Sequence, residues 1–236
     1  VASVLASRGC PFACGFCASS TVFGQQVVSR CPEKVVAEIE ALRHDFATNT
    51  VCFTDLSFGV NREHLKRLCG LLKELKPRID WMTECHFGTL DEESLALMAD
   101  AGCRKIAFGL ERLDEEGLAK SKPSVLTSGS DPYAVLHACD RHGILTRVFL
   151  LLGFPWETSR SLHEMERRVP QLPADDIAIR FVVPFPGTRL AEETVRVDWL
   201  GDGGSSFTGE KPLIDIEGLS ENTLMKAQGR MFRDFY

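Results

Sequence analysis

Hydrophobic and polar positions along the chain switch between two periods. Short apolar runs at residues 1–6, 50–54, 79–85, 104–108, 146–152 and 177–183 read as strands. Between them apolar residues recur at helical spacing, as in Val35, Ile39 and Leu42, then Leu65, Leu68, Leu72 and Leu75, then Leu95, Met98 and Ala101. The punctuation agrees with that division. Pro32 opens the first of these helices with Glu33 in its first turn. Asn61 and Asp91 are good N-caps for the next two. Pro77 follows the second, and Gly102 closes the third. Residues 114–120 form a short helix, Asp131-Pro132 starts another that Gly143 ends, and Ser159 caps one that stops before Pro170. Residues 220–236 form a terminal helix. Residues 121–130 read as a polar loop, the most flexible part of the first half, and 201–209 as a Gly/Ser-rich loop. The near-continuous apolar run at 146–152 predicts a parallel strand buried on both faces.

Units of strand plus helix at roughly 30–40 residues are the size of a βα unit. Six of them imply a parallel sheet with right-handed crossovers. Eight would close a full barrel. Six predict an α/β fold with an open, partial (β/α)6 TIM-like barrel, the parallel sheet inside and the helices outside. Residues 1–190 would form it, and 191–236 a C-terminal extension packed on the barrel and ending in a helix. A chain of 236 residues that is 44% hydrophobic can bury one such core.

Charge and cysteine usage narrow the setting. The net charge of −6 offers no electrostatic footprint for nucleic acid. No apolar run approaches the ~18 residues of a membrane span, and no signal peptide is visible. Of nine cysteines, Cys31, Cys52, Cys69, Cys85, Cys103 and Cys139 are scattered singly among apolar residues. Such cysteines behave as small buried hydrophobes, and the usage points to a reducing, cytoplasmic compartment. Strand-like residues begin at Val1 with no initiator Met, so the chain is expected to be a trimmed domain of something longer.

The other three cysteines carry the chemistry. Cys10-Pro11-Phe12-Ala13-Cys14-Gly15-Phe16-Cys17 follows the first strand. Thiolates are soft ligands that select zinc, copper(I) or iron–sulfur clusters. Gly9 and Gly15 let the backbone fold back so that three sulfurs converge. A complete iron–sulfur site takes four cysteines, so three leave one iron open. A disulfide pair, or a zinc site with Cys31 as fourth ligand, are the other readings of these residues.

In parallel α/β sheets ligands bind at the carboxyl ends of the strands. The polar residues there are Thr54, Asp55, Glu84, His86, Glu111, the run from Gly153 to Glu157, and the run from Pro184 to Thr188. Arg147 and Arg180 lie inside otherwise apolar strands, where an unpaired charge is costly. A guanidinium there suits a carboxylate held bidentately. For Arg147 a structural ion pair with Glu111 or Glu84 is the alternative, and for Arg180 a contact to substrate. His86 reads as a polar neighbour rather than a catalyst, and Trp156 as packing.

The spacing C-x3-C-x2-C after a first strand resembles the radical S-adenosylmethionine (SAM) enzymes. The order of Ser7-Arg8-Gly9-Cys10-Pro11, Arg30-Cys31-Pro32-Glu33, Asp55 with Phe58 and Asn61-Arg62, Ala101-Gly102-Cys103-Arg104, Phe108-Gly109-Leu110-Glu111, Gly153-Phe154-Pro155-Trp156-Glu157-Thr158 and Pro184-Phe185-Pro186-Gly187-Thr188 is similar to the subgroup that commonly carries an N-terminal cobalamin-binding domain. The resemblance implies a [4Fe–4S] cluster on Cys10, Cys14 and Cys17, with SAM on the open iron. Reductive cleavage of SAM would give a 5′-deoxyadenosyl radical for hydrogen abstraction, and, with cobalamin held by a further domain, methyl transfer. Phe16 would lie near the adenine, Asp55 to Ser57 near the SAM amino group and Glu111 near the ribose. Thr54, Arg147, Gly153 and Arg180 complete the candidate cofactor residues. The pattern departs at Asp55-Leu56, at Glu84-Cys85-His86-Phe87 where an arginine is expected, and at Arg112-Leu113-Asp114. Expected partners are a small-molecule or peptide substrate and a low-potential electron donor such as a flavodoxin or ferredoxin. An electron-transfer module with a fourth thiolate, and a zinc-stabilised interaction domain, are the rival classes.

Overall fold

The computed structural model describes residues 1–194 and 207–236. Its six main strands are β1 (Ala2–Val4), β2 (Thr50–Phe53), β3 (Asp80–Cys85), β4 (Cys103–Glu111), β5 (Leu145–Leu152) and β6 (Asp176–Phe181). They form one sheet in sequential order, and every neighbouring pair is parallel. The helices between them lie outside, giving the expected partial barrel. Helices Pro32–Phe46, Arg62–Glu74 and Glu92–Asp100 begin where the sequence places them. The Asn61 and Asp91 side chains accept from the amides of His64 and Ser94, satisfying donors that a helix start leaves free.

Alternation along the strands sets the two faces of the sheet. Outward residues such as Val51, Phe53, Trp81, Ile106, Phe108, Val148, Leu150, Ile177 and Ile179 are buried under the helices. Trp81 is held there by its indole N–H, which donates to the Ala101 carbonyl at 3.0 Å. Inward residues such as Cys52, Met82, Ala107, Arg147, Phe149, Leu151 and Ala178 are only half-buried. The expectation that residues 146–152 are buried on both faces is therefore corrected. Six strands do not close on themselves, so the inner face lines an open lumen.

Several local expectations also change. Strand β1 ends at Val4, because Ser7–Arg8 turns aside to pair antiparallel with Val28–Ser29. Strand β4 runs on through Gly109 and Leu110 to Glu111 rather than ending at Phe108. Thr158, not Ser159, caps helix Ser159–Arg168, in a reciprocal capping box with Ser161. Residues 121–130 are not a loose loop. Helix Pro123–Thr127 lies inside them, Val125 is buried, and Lys122 and Ser121 are buried with it. Short helices Ser19–Phe23 and Arg189–Glu193 escape the sequence pattern, being too short for a period to show. Residues 201–206 of the expected Gly/Ser-rich loop lie outside the described residues. Beyond them, Gly209 accepts from the Phe181 amide at 2.8 Å. Helix Glu221–Phe235 buries Leu224, Ala227 and Met231 in the main core.

Candidate functional site

The cysteine loop leaves the small ribbon at Gly9, whose φ of 91° is left-handed and whose missing side chain leaves room for the Gln26 carbonyl. The Cys17 amide closes a turn onto the Cys14 carbonyl at 3.0 Å. All nine cysteines are free thiols, and Cys10, Cys14 and Cys17 are half-buried. Burial pushes the Cys14 thiol up to about 11, with the charge of Lys122 the main opposing influence. Burial raises Cys10 as well. Cys31 stands apart. It is exposed before helix Pro32–Phe46 and its Sγ donates to Glu33.

The three thiols open onto a cavity of about 240 Å³ at the carboxyl ends of the strands. Phe12, Phe16, Ser57, Glu84, His86, Gly109, Glu111 and Lys122 share its lining, and Cys31 does not. A second cavity of about 380 Å³ adjoins it across Phe16, Cys17 and Ser19, and is lined on its far side by Arg180, Phe181, Val182 and Phe185.

Glu111 ends β4 in a left-handed conformation (φ 68°), just past a register shift against β5. A bulge re-aims the side chain that follows it. The buried Glu111 carboxylate meets Lys122 Nζ at 3.0 Å, and the same ammonium donates to the Gly109 carbonyl at 2.8 Å. A Cβ on residue 109 would stand 2.5 Å from that nitrogen and 2.6 Å from the carboxylate, so a side chain there would push the two charged ends from their present positions.

Behind Glu111, the fully buried Arg112 pairs with Asp114 and Glu157. Glu157 in turn accepts from the Gly153 amide at 2.6 Å. This ties the end of β4 to the turn after β5. Trp156 stacks on Phe154 and lies under Arg112 and Lys120, a packing role.

His86 stacks flat on Phe12 of the cysteine loop, ring centroids 3.8 Å apart. Its Nδ1 accepts from the Gly88 amide, so Nε2 carries the proton and donates to Ser124 Oγ at 2.8 Å. Burial, then the charge of Lys122, pushes its pKa down to about 3. The imidazole is neutral and acts as a clamp on the loop.

The remaining candidates divide. Ser57 lines the cavity, and its buried hydroxyl lacks a partner among the described residues. Thr54 is exposed and lies outside it. Asp55 is buried behind the site. Its carboxylate accepts from the Ala6 amide at 2.9 Å and the Ser7 hydroxyl at 2.5 Å, tethering the chain that leads into the cysteine loop. Burial raises its pKa against those hydrogen bonds. Arg147 lies on the inner wall, paired with Asp176, not with Glu111 or Glu84. It is in register with Glu84 through Ala107. Arg180 is exposed and reaches Glu210 at 3.5 Å. Gly153 contributes through its backbone amide. Lys122 and Arg112 were not legible as site residues. A lysine before a proline in a polar stretch carries no mark of burial, and the partners of Arg112 include one 45 residues away.

The donor set fits an iron–sulfur cluster, because Cys10, Cys14 and Cys17 all line one cavity and thiolates are the ligands such clusters take. The orphaned Ser57 hydroxyl and the charged pair at Glu111 suit a polar molecule beside it.

The family model of the radical SAM superfamily matches residues 4–169, and the chain belongs to that superfamily. With membership come the [4Fe–4S] cluster and SAM as cofactors. An uncharacterised methyltransferase of Pyrococcus horikoshii is 25% identical over 99% of this chain and 50% of its own length. The tryptophan 2-C-methyltransferase of Streptomyces laurentii is 30% identical over 73% of this chain and 31% of its own. The chain thus spans half or less of the length of these relatives. The fold is shared with the radical SAM methyltransferase TsrM of Kitasatospora setae, solved with cobalamin and a [4Fe–4S] cluster bound. That match has a TM-score of 0.72 at 24% identity, covering 82% of this chain and 39% of the other.

Proposed function

We propose that this chain is the catalytic region of a radical SAM enzyme that transfers a methyl group, with cobalamin held by a part of the protein outside residues 1–236. The observation that carries the reading is the gathering of Cys10, Cys14, Cys17, Ser57, Glu111 and Lys122 around one cavity at the carboxyl ends of the strands. The methyltransferase names of the relatives support the reaction class.

Cys10, Cys14 and Cys17 would hold the cluster, and the two adjoining cavities would take SAM. Bound together, these cofactors supply one-electron cleavage of SAM. Glu111, fixed by its strained backbone and by Lys122, presents a carboxylate to the hydroxyls of a ligand. Ser57 offers an unspent hydroxyl. Phe16 stands between the two cavities and, edge-on to Phe154, gives an apolar wall. His86 and Phe12 hold the cysteine loop over the sheet. Arg147 faces the lumen, where Asp176 holds its guanidinium, so its role is structural.

A low-potential donor such as a flavodoxin or ferredoxin would supply the electron in a cytoplasmic setting, and the substrate would be a small molecule or peptide. No described helix is long and apolar enough to cross a membrane. We also propose the division into a barrel, 1–190, and an extension, 191–236, supported by the packing of helix Glu221–Phe235 on the barrel.

Anaerobic reconstitution tests the reading. The chain should take up about four irons and four sulfides, and with SAM and a strong reductant should release 5′-deoxyadenosine. Cys14→Ala should lose the iron and Cys31→Ala should keep it. Full iron in Cys14→Ala would overturn the cluster assignment, and its loss in Cys31→Ala would favour a four-thiolate centre.

A further inference from the structure

A buried lysine needs a reason. Lys122 is 8% exposed, and moving an ammonium out of water is costly unless it is paired and hydrogen-bonded. Two of its three N–H groups are spent on the Gly109 carbonyl and the Glu111 carboxylate. The arrangement demands three further concessions from the chain. Position 109 lacks the side chain that would displace the pair from this geometry. Glu111 must hold φ at 68°, a left-handed conformation that a residue with a side chain rarely adopts. Strand β4 must shift register against β5. A buried pair adds little to stability over a well-packed apolar core, so this one calls for a use beyond stability.

The pair faces the cavity that the three cysteines share, and Lys122 is the one cation among the described residues lining it, His86 being neutral. We propose that Lys122 is a positioning residue whose ammonium, locked over Gly109 by Glu111, raises the reduction potential of the cluster on Cys10, Cys14 and Cys17. The proposal rests on the cluster reading above.

The reason is electrostatic. A doubly positive cluster core bound by three thiolates carries one net negative charge, and one electron from an external low-potential reductant adds a second, with no bond made or broken. Net charge and surroundings set such potentials. A fixed positive charge that is itself largely buried favours the more negative state, and does so more strongly than an exposed one. Glu111 opposes it in part, while its hydrogen bond keeps the ammonium in place.

The test is a redox titration of the anaerobically reconstituted full chain, without SAM, followed by electron paramagnetic resonance. Lys122→Met should retain the iron of the wild type and be at least tenfold harder to reduce, a midpoint about 59 mV or more lower for one electron. Lys122→Arg should stay within that interval of the wild type. Glu111→Gln removes the opposing charge and should move the midpoint up. Full iron with an unchanged midpoint in Lys122→Met would show that the lysine only fills space. Should Lys122→Met lose its cluster, Lys122→Gln, which can still hydrogen-bond to Gly109 and Glu111 but carries no charge, decides instead, and full iron with an unchanged midpoint there overturns the proposal. A wild-type chain that takes up no iron overturns the cluster reading itself, and this proposal with it.

Discussion

Arg112 has no exposed surface, and its charge is answered by two carboxylates brought from different loops. Buried pairs add little to stability over a well-packed apolar core, but breaking one strands a charge. Arg112→Met, which leaves Asp114 and Glu157 behind, should lower unfolding free energy by about 3–5 kcal/mol in urea titration. Adding Glu157→Leu should recover part of that loss, and a double variant no better than the single one would refute the pairing account. Glu111→Ala, one residue earlier, leaves the Lys122 ammonium unpaired and so lowers stability too, but on the folded variant it tests binding. It should retain iron and weaken SAM binding by about ten- to a hundredfold, the worth of a charged hydrogen bond of roughly 1.5–3 kcal/mol. Unchanged binding by calorimetry would show that Glu111 faces something other than SAM.

At the scale of elements, the segment after β3 and helix Pro123–Thr127 brace the cysteine loop together. His86 stacks on Phe12 while its Nε2–H donates to Ser124. Its pKa falls from 6.5 to about 3 on folding, so below about pH 6.5 the unfolded chain binds a proton that the folded chain refuses. Stability due to this group is full above that pH and is lost progressively as the pH falls toward 3. Urea midpoints measured between pH 7.5 and 5 should fall in the wild type, and less in His86→Gln. Equal slopes in the two proteins would remove His86 from the account. The N-cap at Asp91, which accepts from both the amide and the hydroxyl of Ser94, should cost about 0.5–2 kcal/mol on change to Ala.

At the scale of the whole molecule, the inner wall is the feature that limits this chain by itself. Met82, Phe149, Leu151 and Ala178 are apolar and only half-buried, so the lumen stands open to solvent. Radical chemistry needs water and stray hydrogen donors excluded. The 236-residue chain assayed alone should therefore cleave SAM slowly, without coupling to a substrate, and bind no cobalamin tightly. Tight cobalamin binding, or efficient methyl transfer by this chain alone, would show that the open wall is no handicap.

What the sequence by itself determined is what neighbours along the chain can encode. The order of strands and helices follows from two hydrophobic periods and a few caps. The cysteine loop is complete within eight residues, so the candidate ligands were legible before any fold was known, while the choice among cluster, zinc and disulfide came from the family resemblance and not from those residues alone. Tertiary structure decided the rest, because it depends on residues far apart in the chain. Arg147 finds Asp176 only when β5 lies beside β6, and Asp55 is drawn away from the cavity by Ala6 and Ser7, 49 and 48 residues earlier. The polar stretch at 121–130 became a packed strap because Lys122 reaches back over Gly109 to a glutamate at the end of β4. The two faces of β5 parted because six strands leave the barrel open, a geometric fact that no window of apolar residues records.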